Sequence, residues 1–220
     1  MTADELRGAW RRLAVLGDSL AAGVREPHPG YRDLSWVDRI AEALEAETLQ
    51  LAKPHLVARE VREGQLAAAL EWKPDLAVVT AGGNDALRPS FDPAITEREL
   101  EAIVAPLRVA GGGVVLLELL DYVKTGLVPA EHAPALDARL GALAALTRRV
   151  AERQGTILVA MRSHPASADR GIFASDRLHL NARGHAIVAA EALKALQAAR
   201  AAPAATSAHH ASSSARPAAA

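Results

Sequence analysis

The sequence contains no cysteine, which excludes disulfides, thiolate catalysis and zinc–thiolate sites. Aromatic residues make up only 3 %, so any core must be built from Ala, Leu and Val. Neither sign of charge dominates. The formal net charge is −1 with acids and bases interspersed, which gives no support for a nucleic-acid partner. No apolar run is long enough to span a bilayer, so no membrane partner is expected. The opening Met1-Thr2-Ala3-Asp4-Glu5-Leu6 lacks the basic and apolar regions of a signal peptide, and the expected location is cytoplasmic. There is no Gly-x-x-x-x-Gly-Lys-Ser/Thr phosphate loop, no Gly-x-Gly-x-x-Gly after a strand and no Gly-x-Ser-x-Gly elbow. Residues 8–200 contain no His-x-x-x-His pair, so neither a cofactor nor a metal is expected there.

What is present is a regular alternation. Short apolar runs at residues 13–17, 48–52, 76–80, 114–120 and 156–160 read as strands. Between them, helical spacing predicts helices over 35–46, with Ser35 and Asp38 as a capping box, and over 57–72. A third is predicted over 96–110, opened by Thr96 and Glu99 and kinked or shortened by Pro106. A fourth spans 133–154 and is closed by Gly155, and a last one runs from the Asn181 cap to about Arg200. The strands are mostly apolar and do not alternate, as in a parallel sheet covered by helices on both faces. The natural strand order is the flavodoxin-like 2-1-3-4-5. Residues 8–200 form one domain in this reading. Residues 201–220, rich in Ala, Ser, Pro and His, are expected to be a disordered tail.

Three loops would fall on the carboxyl edge of such a sheet. Ser19 follows the first strand, Asn84 the third, and Asp176 and His179 the fifth. A serine hydroxyl needs a base to become a nucleophile, and a neutral His suits that role near pH 7. The His in turn needs a carboxylate to fix its tautomer. Asp176 and His179 are three apart, which puts both on one side of a single turn. Asn84 would donate its side-chain amide to a developing oxyanion, and Gly82 and Gly83 would let backbone approach a substrate closely. Each piece has an ordinary alternative. Ser19 can cap the next helix. Asp-x-x-His can be a surface turn, and Gly-Gly-Asn-Asp a turn whose Asn and Asp bond local backbone. Asp85 reads as a structural cap for the next segment, and His185 as a packed or surface helix residue.

Taken in order, Gly17-Asp18-Ser19-Leu20, Gly82-Gly83-Asn84-Asp85 and Asp176-Arg177-Leu178-His179 resemble the motifs of the SGNH hydrolase superfamily, the GDSL esterases and lipases. The resemblance implies a flavodoxin-like three-layer α/β/α sandwich with a five-stranded parallel sheet. It implies Ser19 as nucleophile, His179 as base, Asp176 as its partner, and Ser19 N–H and Asn84 as oxyanion donors. It also implies a small-molecule ester as the partner, with Asp18 and Gly83 close to the substrate. One block departs from the family. Where the family carries a second-block glycine whose N–H joins the oxyanion hole, this chain has His55, whose backbone N–H would have to serve in its place. Two further readings keep this site: an acyltransferase using the same residues, and a lapsed enzyme that binds acyl or carbohydrate ligands. The loops 23–34, 122–132 and 162–175, carrying Arg25, His28, Tyr31, Tyr122 and Phe173, are expected to line the cleft.

Overall fold

The computed structural model describes residues 6–202. Apart from Ala201 and Ala202, the expected tail lies outside the described residues. Five strands, β1 (Arg12–Gly17), β2 (Glu47–Gln50), β3 (Leu76–Thr80), β4 (Gly113–Glu118) and β5 (Ile157–Ala160), form one sheet. The order is β2-β1-β3-β4-β5 and every pairing is parallel. The helices are α1 (Trp36–Leu44), α2 (Ala58–Trp72), the single turn α3 (Gly83–Ala86), α4 (Pro93–Val109), α5 (Ala133–Gln154) and α6 (Ala182–Ala201).

The apolar strands divide their side chains between two cores, because successive residues point to opposite faces. Leu13, Val15 and Val78 pack with Trp36, Ile40 and Val188 under α1 and α6. Ala14, Leu16 and Val79 pack with Val61, Ile103 and Leu146 under α2, α4 and α5. The result is a three-layer α/β/α sandwich. The two edge strands depart from the buried-strand pattern: Glu47, Thr48 and Gln50 of β2 are exposed, and in β5 only Val159 is buried.

Most boundaries agree with the periodicity to within a residue or two. Ser35 accepts from Asp38 N–H and Asp38 accepts from Ser35 N–H, completing the capping box of α1. The exception is α4, which starts at Pro93 and not at Thr96. Asp92 is the cap, accepting from the N–H groups of Ala94 and Ile95. A proline at the first helical position costs no hydrogen bond, so Asp-Pro outcompetes the later Thr-x-x-Glu signal. Thr96 is buried inside the helix and donates back to the Asp92 carbonyl. Pro106 does not end α4, which continues to Val109.

Strand order reverses at β1, which pairs with β2 on one side and β3 on the other. Loops leaving β1 and β3 therefore diverge at the carboxyl edge and open a crevice between them, the usual ligand position in such sheets.

Candidate active site

The first wall of the crevice is made where β1 ends. Gly17 has φ +141°, and a Cβ there would lie 2.2 Å from the Thr80 carbonyl on β3, so only glycine fits. Both of its backbone polar groups meet one buried side chain. Gly17 N–H donates to Gln65 Oε1 at 2.7 Å, and Gln65 Nε2 donates to the Gly17 carbonyl at 3.0 Å. Gln65 thus carries the position of α2 directly to the residue two before Ser19. Asp18 Oδ1 accepts from Thr80 Oγ1 and Leu20 N–H, both at 3.1 Å. Burial pushes the Asp18 carboxyl up to about 6 despite these bonds. Ser19 follows in a turn, and the next helix starts at Trp36 with its own cap, so Ser19 caps no helix.

The opposite wall is the loop after β5. Phe173 and Leu180 bridge antiparallel, and Ala174 N–H donates to the His179 carbonyl, which makes residues 176–179 the tip of a tight bend. Arg177 turns the bend at φ 61°. Asp176 Oδ1 accepts from Leu178 and His179 N–H, both at 2.9 Å, and Oδ2 takes His179 Nδ1 at 2.6 Å. Burial alone would raise the Asp176 carboxyl. The His179 hydrogen bond, the two main-chain donors and the imidazole charge outweigh it and hold the group below the usual carboxylate range. His179 Nε2 lies 2.9 Å from Ser19 Oγ. With Asp176 receiving the Nδ1 proton, Nε2 is the acceptor and the Ser19 hydroxyl donates to it. Carboxylate, imidazole and hydroxyl thus form one continuous chain.

The third wall comes from β3. Asn84, on α3, borders the same cavity as Ser19 and His179. Its Nδ2 donates to the Leu56 carbonyl at 2.9 Å, and the amide has a second N–H to offer. Asp85 does not cap the residues after it. Its Oδ2 accepts from Ala58 N–H at the start of α2, at 2.9 Å. Asn84 and Asp85 therefore fasten the stretch just after His55, at Leu56 and Ala58. His55 itself stands at φ 70°, the left-handed backbone that a glycine adopts readily. Its side chain is exposed, and it is not among the residues lining the cavity.

Asp18 and Gly83 both line that cavity. A Cβ on Gly83 would sit 3.2 Å from Leu119 Cδ1 and 3.4 Å from Asp18 Oδ2, so glycine keeps this end open. Tyr122 and Phe173 line it as expected, their ring centroids 6.3 Å apart. Loop 23–34 contributes no side chain to it. Arg25 is turned to Asp33 at 2.7 Å, and His28 meets Tyr31 edge-on. His185 is a packed residue, fully buried: its Nδ1 accepts from Trp36 N–H and its Nε2 donates to the Val24 carbonyl. Burial lowers it to about 4.

Sequence reasoning missed Gln65 and the leucines of the cavity wall. Gln65 did carry a signal, for it stands with Val61 and Ala69 at spacings of four on the buried stripe of α2. A glutamine there must have polar partners.

Known proteins share this fold. The fold matches the crystal structure of TesA with a TM-score of 0.67 at 24 % identity, covering 86 % of this chain and 99 % of that one. It matches the acetyl xylan esterase AlAXEase with a TM-score of 0.67 at 21 % identity, covering 84 % and 99 %. For the psychrotrophic esterase EstA from Pseudoalteromonas sp. the TM-score is 0.64 at 17 % identity, covering 86 % and 98 %. No curated protein matches the sequence. No helix among the described residues is long and apolar enough to cross a membrane. A family description, GDSL-like Lipase/Acylhydrolase, matches residues 15–187, a span that takes in the Ser19, Asn84 and Asp176–His179 segments. By that match the chain belongs to the GDSL-like lipase/acylhydrolase family of ester-hydrolysing serine hydrolases.

Proposed function

We propose that this protein hydrolyses carboxylic esters through an acyl-enzyme on Ser19. The observation that carries the reading is the unbroken chain from Asp176 Oδ2 through His179 to Ser19 Oγ, with contacts of 2.6 and 2.9 Å. His179 Nε2 takes the hydroxyl proton as Ser19 Oγ bonds to the ester carbonyl carbon. Charge collects on the carbonyl oxygen, which the free N–H of Asn84 and the main-chain N–H of Ser19 receive. By its place in the sequence the His55 N–H is assigned as the third donor, although His55 is not among the residues that line the cavity. Its positive φ gives it the backbone that the family's glycine would supply, which weakens the case for a lapsed binding module. The carbonyl–alkoxide bond then breaks, and His179 returns its proton to the leaving oxygen. Water repeats the sequence: His179 removes a proton as the water oxygen attacks the acyl carbon, and Ser19 leaves with that proton. Asp176 stays ionised throughout and stabilises the imidazolium.

The test is a fluorophosphonate probe with ester turnover measured alongside. Wild type is expected to be labelled and active, and Ser19→Ala to lose both, turnover falling by at least about 10³. Labelling that survives Ser19→Ala would overturn the assignment. Adding an alcohol and analysing the products separates hydrolysis from acyl transfer.

A further inference from the structure

Residues 23–34 give the cavity no side chain, yet this loop runs from the proposed nucleophile to the proposed base. Val24 N–H donates to the Ser19 carbonyl at 3.0 Å, and the Val24 carbonyl accepts from buried His185. Pro27 disfavours helical backbone at the residue before it, which keeps Glu26 extended. Glu26 accordingly forms a parallel bridge with Asn181, and its carbonyl accepts from Ala182 N–H at 2.8 Å. That backbone contact brings its side chain to the bend that carries His179. Glu26 Oε2 accepts from Ser175 N–H at 2.9 Å, one residue before Asp176.

The bend is bonded mainly to itself. Ala174 N–H donates to the His179 carbonyl and Arg177 N–H to the Ala174 carbonyl, while Asp176 takes two N–H groups and the imidazole. Among the described residues, only two partners outside residues 174–179 hydrogen-bond to that segment: Ser19, through His179, and Glu26, through Ser175. Glu26 is also uncommitted elsewhere. No cation pairs with it among the described residues, and the adjacent Arg25 is taken by Asp33 at 2.7 Å. The Ser175 hydroxyl and N–H hold the Glu26 carboxyl below the usual carboxylate range. It therefore meets the Ser175 N–H as an ionised acceptor, the stronger kind.

Resting on the acyl-enzyme reading above, we infer that Glu26 is a positioning residue for that reaction: through Ser175 it sets where the Asp176–His179 pair stands against Ser19. The nucleophile leaves β1 and the base follows β5, with β3 and β4 between them in the sheet. Glu26 joins the two loops directly across that distance. It touches no reacting atom. A misplacement of about 1 Å between reacting groups costs on the order of 10²-fold in rate, so losing this tether acts on turnover more than on stability.

Steady-state ester turnover, Ser19 labelling by a fluorophosphonate and thermal unfolding test this on wild type, Glu26→Ala, Glu26→Gln and Arg32→Ala. Arg32→Ala removes an ion pair with Glu42 from the same loop and is the control. Glu26→Ala is expected to lose at least about tenfold in both kcat and labelling rate, with KM within about threefold of wild type. As an exposed substitution it should leave Tm within about 2 °C. Glu26→Gln keeps an oxygen for the Ser175 N–H and should recover most of the loss, and Arg32→Ala should match wild type. A fall of less than about tenfold in Glu26→Ala, a fall as deep in Glu26→Gln or Arg32→Ala, or a loss confined to KM overturns the inference. Should Glu26→Ala fail to fold, Glu26→Asp replaces it, keeping the charge but drawing the carboxylate back by one methylene. The same fall is then expected, and a smaller one overturns the assignment. Absence of Ser19 labelling in wild type would remove the acyl-enzyme reading itself, a result distinct from labelling that Glu26→Ala leaves unchanged.

Discussion

Two residues outside the Ser19–His179–Asp176 chain fix where its parts stand. Gln65 satisfies both backbone groups of Gly17, so Gln65→Leu keeps the volume and leaves a buried N–H without its acceptor. The Gly17 carbonyl retains Lys53 N–H at 3.1 Å. The expected cost is about 1–3 kcal/mol of stability, with kcat lowered more than KM. Gln65→Glu, which keeps the acceptor for Gly17 N–H, should lie between wild type and Gln65→Leu in kcat. Urea unfolding and steady-state kinetics on the three proteins check this. His55 gives a second test. His55→Gly relieves a strained φ and preserves the N–H, so kcat should stay within about threefold of wild type. His55→Pro removes the N–H and forbids φ 70°, and should cost roughly 10²-fold or more in turnover.

Among the elements, α4 shows how local signals compete. Its start is set by Asp92 and Pro93, and Asp92→Ala should destabilise the protein by about 1 kcal/mol, visible as a lower Tm. A like effect from Glu99→Ala would instead trace to its ion pair with Arg62, since Glu99 caps nothing here. The same competition explains which features were legible in the sequence. Ser35 and Asp38, Gly155 and Asn181 announce their helix ends because each acts on backbone within a few residues. Strands β1, β3 and β4 are legible because burial on both faces confines their polar residues to the strand ends, at Arg12, Thr80 and Glu118. Gln65, Asn84 and Asp85 act across 27 to 48 residues of chain. Their partners are set by sheet order, which strand composition does not encode. The hydroxyl–imidazole–carboxylate set was legible only because three weak motifs occur together, each after a strand. The leucines of the cavity wall resemble any other core leucine until the layers are assembled.

At the scale of the whole molecule, two buried titrating groups oppose one another. His185 ties α1, α6 and the segment after Ser19 together, and it is neutral in the fold because burial lowers it from 6.5 to about 4. The unfolded chain binds this proton below about 6.5, so stability contributed by His185 falls as pH drops from about 6.5 to about 4, by roughly 3 kcal/mol in all. Asp18 does the reverse. Its carboxyl, raised from 3.8 to about 6, stays protonated in the fold where the unfolded chain has ionised, so stability falls by roughly 3 kcal/mol as pH rises through that interval. The two should nearly cancel between about pH 4 and 6. Asp18→Asn is expected to expose a stability that climbs with pH across that range, measured by urea titration at several pH values. A slope unchanged by Asp18→Asn would show that its carboxyl titrates alike in both states.

Ser19 and His179 lie 160 positions apart along the polypeptide, and no local segment brings them together. A ribosome must release the polypeptide past His179 before the hydroxyl has its base, and a refolding molecule must assemble the sheet before the pair can meet. First turnover after dilution from denaturant is therefore a late event. It reports completed assembly more faithfully than returning helicity does, since α2 and α5 need only near neighbours to begin coiling.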